Sequence, residues 1–265
     1  MKKSGVIIAI LTLLLLVDAT KASAQKKIIP YPDVRETDVM WKKRIWREID
    51  FRQKMNLPFY YPIESHDGDR SFINVILDAL KEGRIQAYEV TSTGELNKPV
   101  PYSKLITSLD TERQQNQYDD NGNFTGTKTI TIAFKPESVT RLRIMEEWYF
   151  DNKRSQMLVK ILALCPVNMR EVDSLQKPNE LFWIKFDDST RVVLSEAPFY
   201  NRNNLAARMS YDDVFWKRYF DSYIYKEDNV YDRDISSYAN GVDAMYESDR
   251  IKQEIIDFEQ NVWEY

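Results

Sequence analysis

Residues 140–150 (TRLRIMEEWYF) and 156–164 (QMLVKILAL) are two apolar runs separated by the polar stretch 151–155 (DNKRS). Runs of this kind on either side of a short polar segment are typical of antiparallel strands joined by a loop. We therefore predict a long hairpin near 140–165 as the centre of the fold. Because side chains alternate along a strand, Glu146 and Glu147 should point to opposite faces of the sheet.

Further elements are predicted on both sides of this hairpin. Alternating patterns favour strands over 84–90, 127–134 and 181–186. Helical spacing and capping signals favour three helices: 71–81, ended by Gly83; 211 to about 220, opened by Ser210 and Asp213; and a last one opened by Ser248 or Asp249. The predicted fold class is α+β, a single globular domain with a central antiparallel sheet flanked by N- and C-terminal helices.

The N-terminal segment is predicted to be a lead-in followed by a helix. Pro30 and Pro32 disfavour helix in residues 25–37, which we interpret as extended. Residues 38–55 are predicted to form a basic, aromatic helix, because Trp41, Ile45 and Ile49 fall on one arc at 100° per residue. The single α+β domain would then cover residues 38–265.

Residues 1–24 have the pattern of a cleavable signal peptide. Lys2 and Lys3 precede an apolar run over 6–17, and Ala22-Ser23-Ala24 supplies the small residues of a cleavage site. The apolar run is shorter than the roughly 20 residues that a membrane-spanning helix needs, and no cysteine follows it to carry a lipid. We therefore expect a protein that is exported from the cytoplasm and has no membrane span of its own.

Charge is distributed unevenly along a chain whose net charge is −4. Residues 25–54 contain nine basic and five acidic residues, whereas residues 212–265 contain six basic and fourteen acidic residues. The two segments either pack on each other within one chain or connect neighbouring subunits head to tail, a contact that builds rings or filaments. A net acidic chain is not expected to bind nucleic acid.

The residues that usually carry catalysis or bind metals are few. His66 is the only histidine and lies in a turn-like stretch, and Cys165, the only cysteine, ends an apolar strand where a buried thiol is expected. Residues 119–123 (DDNGN) favour a hairpin turn over a calcium loop. We predict no catalytic residue, metal or cofactor, although the abundant carboxylates leave a glycosidase-like pair open.

Six stretches carry more information than their periodicity: residues 38–50 (DVMWKKRIWREID), 54–56 (KMN), 58–62 (PFYYP), 146–151 (EEWYFD), 159–166 (VKILALCP) and 209–215 (MSYDDVF). They closely resemble the GldN/PorN family of gliding-motility and type IX secretion proteins. The resemblance implies a non-catalytic periplasmic subunit that binds an outer-membrane lipoprotein of the GldK/PorK type. It also implies self-association within a ring, and contact with the periplasmic part of a GldM/PorM-type motor protein.

The basic aromatic segment is the candidate partner-binding element, since Arg and Trp are frequent interface anchors. The candidate residues are Tyr31, Trp41, Lys42, Lys43, Arg44, Trp46 and Arg47. The alternative is a periplasmic carbohydrate-binding or carboxylate-dependent carbohydrate-active protein, which requires a cleft lined by Trp or Tyr with two facing carboxylates.

Overall fold

The computed structural model describes residues 28–263 apart from 67, 92–93, 119–123, 173–174 and 201–208. The predicted signal peptide and the turn at 119–123 lie outside the described residues. The described chain is a mixed α+β structure built on one large antiparallel sheet, so the predicted fold class is confirmed.

The strands of the described residues are β1 (Val39–Asp50), β2 (Ala87–Tyr88), β3 (Pro99–Val100), β4 (Thr111–Tyr118), β5 (Phe124–Ile132), β6 (Val139–Asp151), β7 (Gln156–Val172), β8 (Leu175–Glu180), β9 (Trp183–Lys185), β10 (Pro198–Phe199), β11 (Met209–Ser210) and β12 (Tyr223–Glu227). Eight of them form the main sheet in the order β12-β1-β6-β7-β9-β2-β3, with β8 paired to β7. A β4–β5 ribbon and a short β10–β11 pair lie outside it.

The helices of the described residues pack against one face of this sheet. They are α1 (Leu57–Tyr60), α2 (Phe72–Lys81), α3 (Tyr102–Leu109), α4 (Asp188–Glu196), α5 (Tyr211–Trp216) and α6 (Val242–Trp263). The capping prediction for α5 is confirmed, because the Ser210 side chain accepts a hydrogen bond from Asp213 N–H and the Asp213 carboxylate accepts one from Ser210 N–H. The last helix begins at Val242, earlier than the predicted start at Ser248 or Asp249.

The central hairpin is confirmed as β6 and β7, which pair from Asp151 opposite Gln156 to Val139 opposite Asn168. Asp151 stabilises its loop, because one carboxylate oxygen accepts a hydrogen bond from Lys153 N–H at 2.9 Å. The other oxygen accepts one from the Arg154 guanidinium at 2.7 Å. As predicted, Glu146 and Glu147 point to opposite faces, the first buried and the second partly exposed.

The predicted helix over 38–55 is wrong: residues Val39–Asp50 form strand β1, which pairs with β6 on one side and β12 on the other. The spacing of Trp41, Ile45 and Ile49 does not separate the two structures, because positions four apart share a face in a strand as well as in a helix. Both edges of β1 are hydrogen-bonded and both of its faces are covered near Ile45–Ile49. The hydrogen bonds to β6 and β12 and the burial of both faces favour a strand over a helix, and they come from residues far along the chain.

Apolar clusters cover both faces of the sheet. The main core lies between one face and helices α1–α5, and Phe59 packs at its centre against the rings of Phe51, Phe72, Phe199, Tyr211 and Phe215. Helix α6 packs on the same face through Ile251 and Ile255, which lie against Ile45 and Ile224. The outer edge of β12 is protected as well, because Ile224 N–H donates to the Ser248 hydroxyl at 2.9 Å.

Candidate docking surface on the N-terminal strand

Strand β1 distributes the candidate partner-binding residues over two faces of the sheet. Because side chains alternate, Trp41, Lys43 and Arg47 point towards α6 and the main core, while Lys42, Arg44 and Trp46 point to the opposite face. The expected single basic and aromatic face therefore does not exist. Each face has to be considered separately.

On the α6 face, the candidate side chains are used within the chain. The Trp41 ring stacks on Phe258 of α6 with ring centroids 4.8 Å apart. Lys43 Nζ lies 2.5 Å from a Glu227 carboxylate oxygen and 3.8 Å from Glu254. Part of the N-terminal basic segment thus packs on the acidic C-terminal segment of its own chain, the first of the two arrangements expected from the charge distribution.

Arg47 belongs to a buried ionic network. Its Nε lies 3.3 Å from a carboxylate oxygen of Glu146, which is fully buried, and its Nη1 donates to the Ser222 hydroxyl at 3.2 Å. Arg218 Nη1 lies 2.9 Å from the other Glu146 oxygen, and Trp148 Nε1 donates to Glu146 at 2.9 Å. Burial lowers the pKa of Arg47, with the Glu146 carboxylate opposing this shift. The arginine serves the fold and is not available to a partner.

On the opposite face, Lys42 and Arg44 remain accessible, with side chains 68% and 43% exposed. Both lie near Glu147, at 4.0 Å and 3.8 Å between nitrogen and oxygen. Lys160 is exposed and directly opposite Glu147 in the β6–β7 register, which places it on the same face. We call these three cations around one carboxylate the basic sheet face; exposed Met40 lines the same cleft as Lys42 and Lys160.

Trp46 lies on the same side of β1 as the basic sheet face but is covered. Its ring packs in a second apolar cluster with Met145 and Trp183 and is 8% exposed. The Lys226 ammonium lies 5.0 Å from the ring centroid. Trp46 therefore packs in an apolar cluster and contacts the Lys226 ammonium, and it is not part of the accessible surface.

Tyr31 anchors the lead-in to the body of the protein. Its ring lies 5.3 Å from that of Trp216, and the buried Arg191 guanidinium lies 5.2 Å from its centroid. Its hydroxyl accepts a hydrogen bond from Ile161 N–H at 3.4 Å. Burial raises the pKa of Tyr31, although the Ile161 hydrogen bond and Arg191 act in the other direction. The tyrosine positions the neighbouring lead-in residues along the sheet.

A cleft of about 590 Å³ separates these lead-in residues from the strands. It is lined by Pro32, Asp33, Val34, Glu36, Val39, Met40, Trp41, Lys42, Glu147, Tyr149 and Lys160. The cleft has the residue types that the carbohydrate alternative requires. However, Trp41 is stacked on Phe258 and Tyr149 is buried, so the rings are engaged in packing. That alternative stays a prediction.

The two other residues considered as catalytic or metal-binding candidates, Cys165 and His66, lie in a buried cluster and in an exposed turn. Cys165 is fully buried, and burial raises its pKa well above the ordinary value. His66 is exposed and forms a backbone bridge with Asp69. In the part of the chain that the structure describes, no three His, Cys, Asp or Glu side chains are grouped as metal ligands. A search of the same residues found no helix with the length and apolar character needed to cross a membrane.

Sequence reasoning missed three features of this surface: the division between two faces, the contribution of Lys160 and the cleft itself. A period of two starting at Met40 would have separated Lys42 and Arg44 from Trp41 and Lys43. The contribution of Lys160 depends on the β6–β7 register, and the cleft depends on the path of the lead-in. Neither has a local signal in the sequence.

The fold and this surface define an α+β chain in which Lys42, Arg44 and Lys160 are accessible on the sheet face opposite to α6. A family model described as "Gliding motility associated protein GldN" matches residues 34–264. The chain belongs to the GldN family, which confirms the resemblance. A search of curated proteins found no match to the chain.

Proposed function

We propose that this protein is a non-catalytic structural subunit of the periplasm that assembles with an outer-membrane lipoprotein of the GldK/PorK type. The assembly forms rings of the type IX secretion and gliding-motility machinery, and a GldM/PorM-type motor protein contacts the rings. The observation that carries the proposal is the family match over residues 34–264. The predicted export signal supports the location, and the accessible surface around the cleft supports docking.

The lead-in is the proposed contact with the lipoprotein. Tyr31 fixes it to the body, while Ile29, Pro32 and Arg35 stay exposed on either side of this anchor. A segment that is held in place yet keeps apolar and charged side chains accessible loses little conformational entropy when it binds a partner. This arrangement suits a docking segment better than a mobile tail.

Substitution of the exposed lead-in residues should weaken lipoprotein binding without unfolding the protein. We expect Ile29→Asp combined with Arg35→Glu to raise the Kd for the purified lipoprotein at least tenfold, about 1.4 kcal/mol of binding free energy. Both side chains are exposed, so the thermal unfolding midpoint should not change. Biolayer interferometry with the lipoprotein in detergent and a circular-dichroism melt measure the two quantities.

The matched control is Lys81→Glu, which reverses an exposed charge at the end of α2. It should bind the lipoprotein as the unmodified protein does. Equal affinities for all three proteins would remove the lead-in from the proposed interface. Absence of any lipoprotein binding by the unmodified protein would contradict the proposed function.

A further inference from the structure

Helix α6 has apolar side chains on the side that points away from the sheet. Its inner side packs through Ile251 and Ile255, whereas Val242, Met245 and Tyr246 are 62%, 68% and 70% exposed. At 100° per residue these three positions lie on the side opposite to the packed isoleucines. We call them the outer stripe of α6. Three such side chains at helical spacing differ from the single exposed apolar residues that are normal on protein surfaces.

The surroundings of the outer stripe are acidic. Helix α6 contains six carboxylates and two basic residues, and one of the carboxylates, Asp249, is exposed one turn after Tyr246 on the same side. The two basic residues of the helix are Arg250, which is paired with Glu247, and Lys252, which is exposed, so the carboxylates of α6 remain in excess. An occupant of this stripe should therefore combine apolar surface with positive charge.

The basic sheet face of the same protein has these properties. Lys42 and Arg44 lie within 4.0 Å of the Glu147 carboxylate, and Lys160 is opposite Glu147 in the β6–β7 register. Exposed Met40 lines the adjoining cleft, which has room for apolar side chains and is also lined by Asp33 and Glu36. The three cations are thus complementary in charge to the carboxylates of α6, and both surfaces offer accessible apolar groups.

The positions of the two surfaces prevent them from meeting within one molecule. Trp41 and Lys43 contact α6, so α6 covers one face of the sheet, and Lys42 and Arg44 point to the other face. The outer stripe points away from the sheet on the first side. Complementary patches on opposite sides of one molecule produce head-to-tail contacts between copies.

We infer that the outer stripe of α6 in one copy docks on the basic sheet face of a second copy. This inference rests on the proposed function, because it identifies a second copy of the chain as the partner that contacts Lys42 and Arg44 within the proposed ring. Both arrangements expected from the charge distribution would then exist in one assembly. Lys43 pairs with Glu227 of its own chain, whereas Lys42 and Arg44, which lie near Glu147 but remain accessible, would also contact the acidic α6 of the next copy.

Two variants, each altered at one surface, test the contact. Met245→Lys with Tyr246→Lys changes the outer stripe, and Lys42→Gln with Arg44→Gln changes the basic sheet face. We expect sedimentation velocity to show that the unmodified protein self-associates in a concentration-dependent manner, more weakly at high salt. Each variant alone should self-associate at least tenfold more weakly.

An equimolar mixture of the two variants should form a 1:1 dimer, because the intact basic face of the first meets the intact stripe of the second. Unaltered self-association of either variant, absence of the mixed dimer, or a monomeric unmodified protein at every concentration would overturn the inference. Unchanged circular-dichroism melts confirm that the variants are folded. Binding of the stripe variant to the lipoprotein is measured separately, so that failure of the proposed function is distinguished from failure of this contact.

Discussion

Replacement of Glu146 by alanine is expected to lower the free energy of unfolding by about 3–5 kcal/mol, the usual result of removing one partner from a buried ion pair. The carboxylate is fully buried and accepts hydrogen bonds from Arg218 and Trp148, and Arg47 lies beside it. Without Glu146, the charge of Arg47 would remain desolvated without its counter-ion. Urea unfolding followed by tryptophan fluorescence measures the change.

The neighbouring Glu147→Ala is the matched control. Glu147 is one residue away in the same strand, but it lies on the outer face beside the exposed Lys42 and Arg44. Exposed ion pairs contribute at most about 1 kcal/mol, so the control should lose no more than that. Similar losses for the two variants would contradict the assignment of Glu146 to a buried network.

The second large effect is expected for Phe59→Ala, with a loss of about 3–5 kcal/mol in unfolding free energy. Phe59 is fully buried, and five aromatic rings have centroids between 5.4 and 5.9 Å from its own. Its removal leaves a cavity that these rings, held by the sheet and by α2 and α5, cannot fill. Urea unfolding measures this change as well.

Tyr231→Ala provides the control, since Tyr231 is also a large aromatic residue but is mostly exposed. Its substitution should change the free energy of unfolding by less than about 0.5 kcal/mol. A small loss for Phe59→Ala would show that the aromatic cluster is not a packed core.

Elements with a strong local signal could be predicted from the sequence. The β6–β7 hairpin has two long apolar runs around a polar loop, and α5 has a capping pair next to its first turn. The opposite orientations of Glu146 and Glu147 follow from alternation alone. In each case the residues that determine the structure are close together in the chain.

Strand β1 could not be predicted because its partners are remote. β6 begins almost ninety residues after the end of β1, and β12 lies in the last quarter of the chain. Residues 38–55 alone satisfy a helical arc as well as a strand pattern. The burial of both faces, which favours the strand, exists only after the chain has folded.

The residues of the candidate surface could be named from the sequence, but the sequence did not show which of them are accessible or which face of the sheet each occupies. Trp46 and Arg47 have the residue types of interface anchors, yet one closes an apolar cluster and the other joins a buried network. Lys42 and Arg44 belong to the same basic and aromatic segment, yet their side chains are accessible. Residue type alone does not distinguish these cases, because aromatic and arginine side chains serve cores and interfaces through the same contacts.

The central claim is that this member of the GldN family is a subunit of a periplasmic ring that includes an outer-membrane lipoprotein. Amine crosslinking in intact cell envelopes, followed by purification of a C-terminally tagged protein and mass spectrometry, tests it most directly. The account predicts near-stoichiometric recovery of an outer-membrane lipoprotein. Crosslinks are expected from the exposed Lys54 to the lipoprotein and from the exposed Lys42 to a second copy of the protein, but not from Lys43, which is paired with Glu227. Recovery of the protein alone under mild extraction would contradict it.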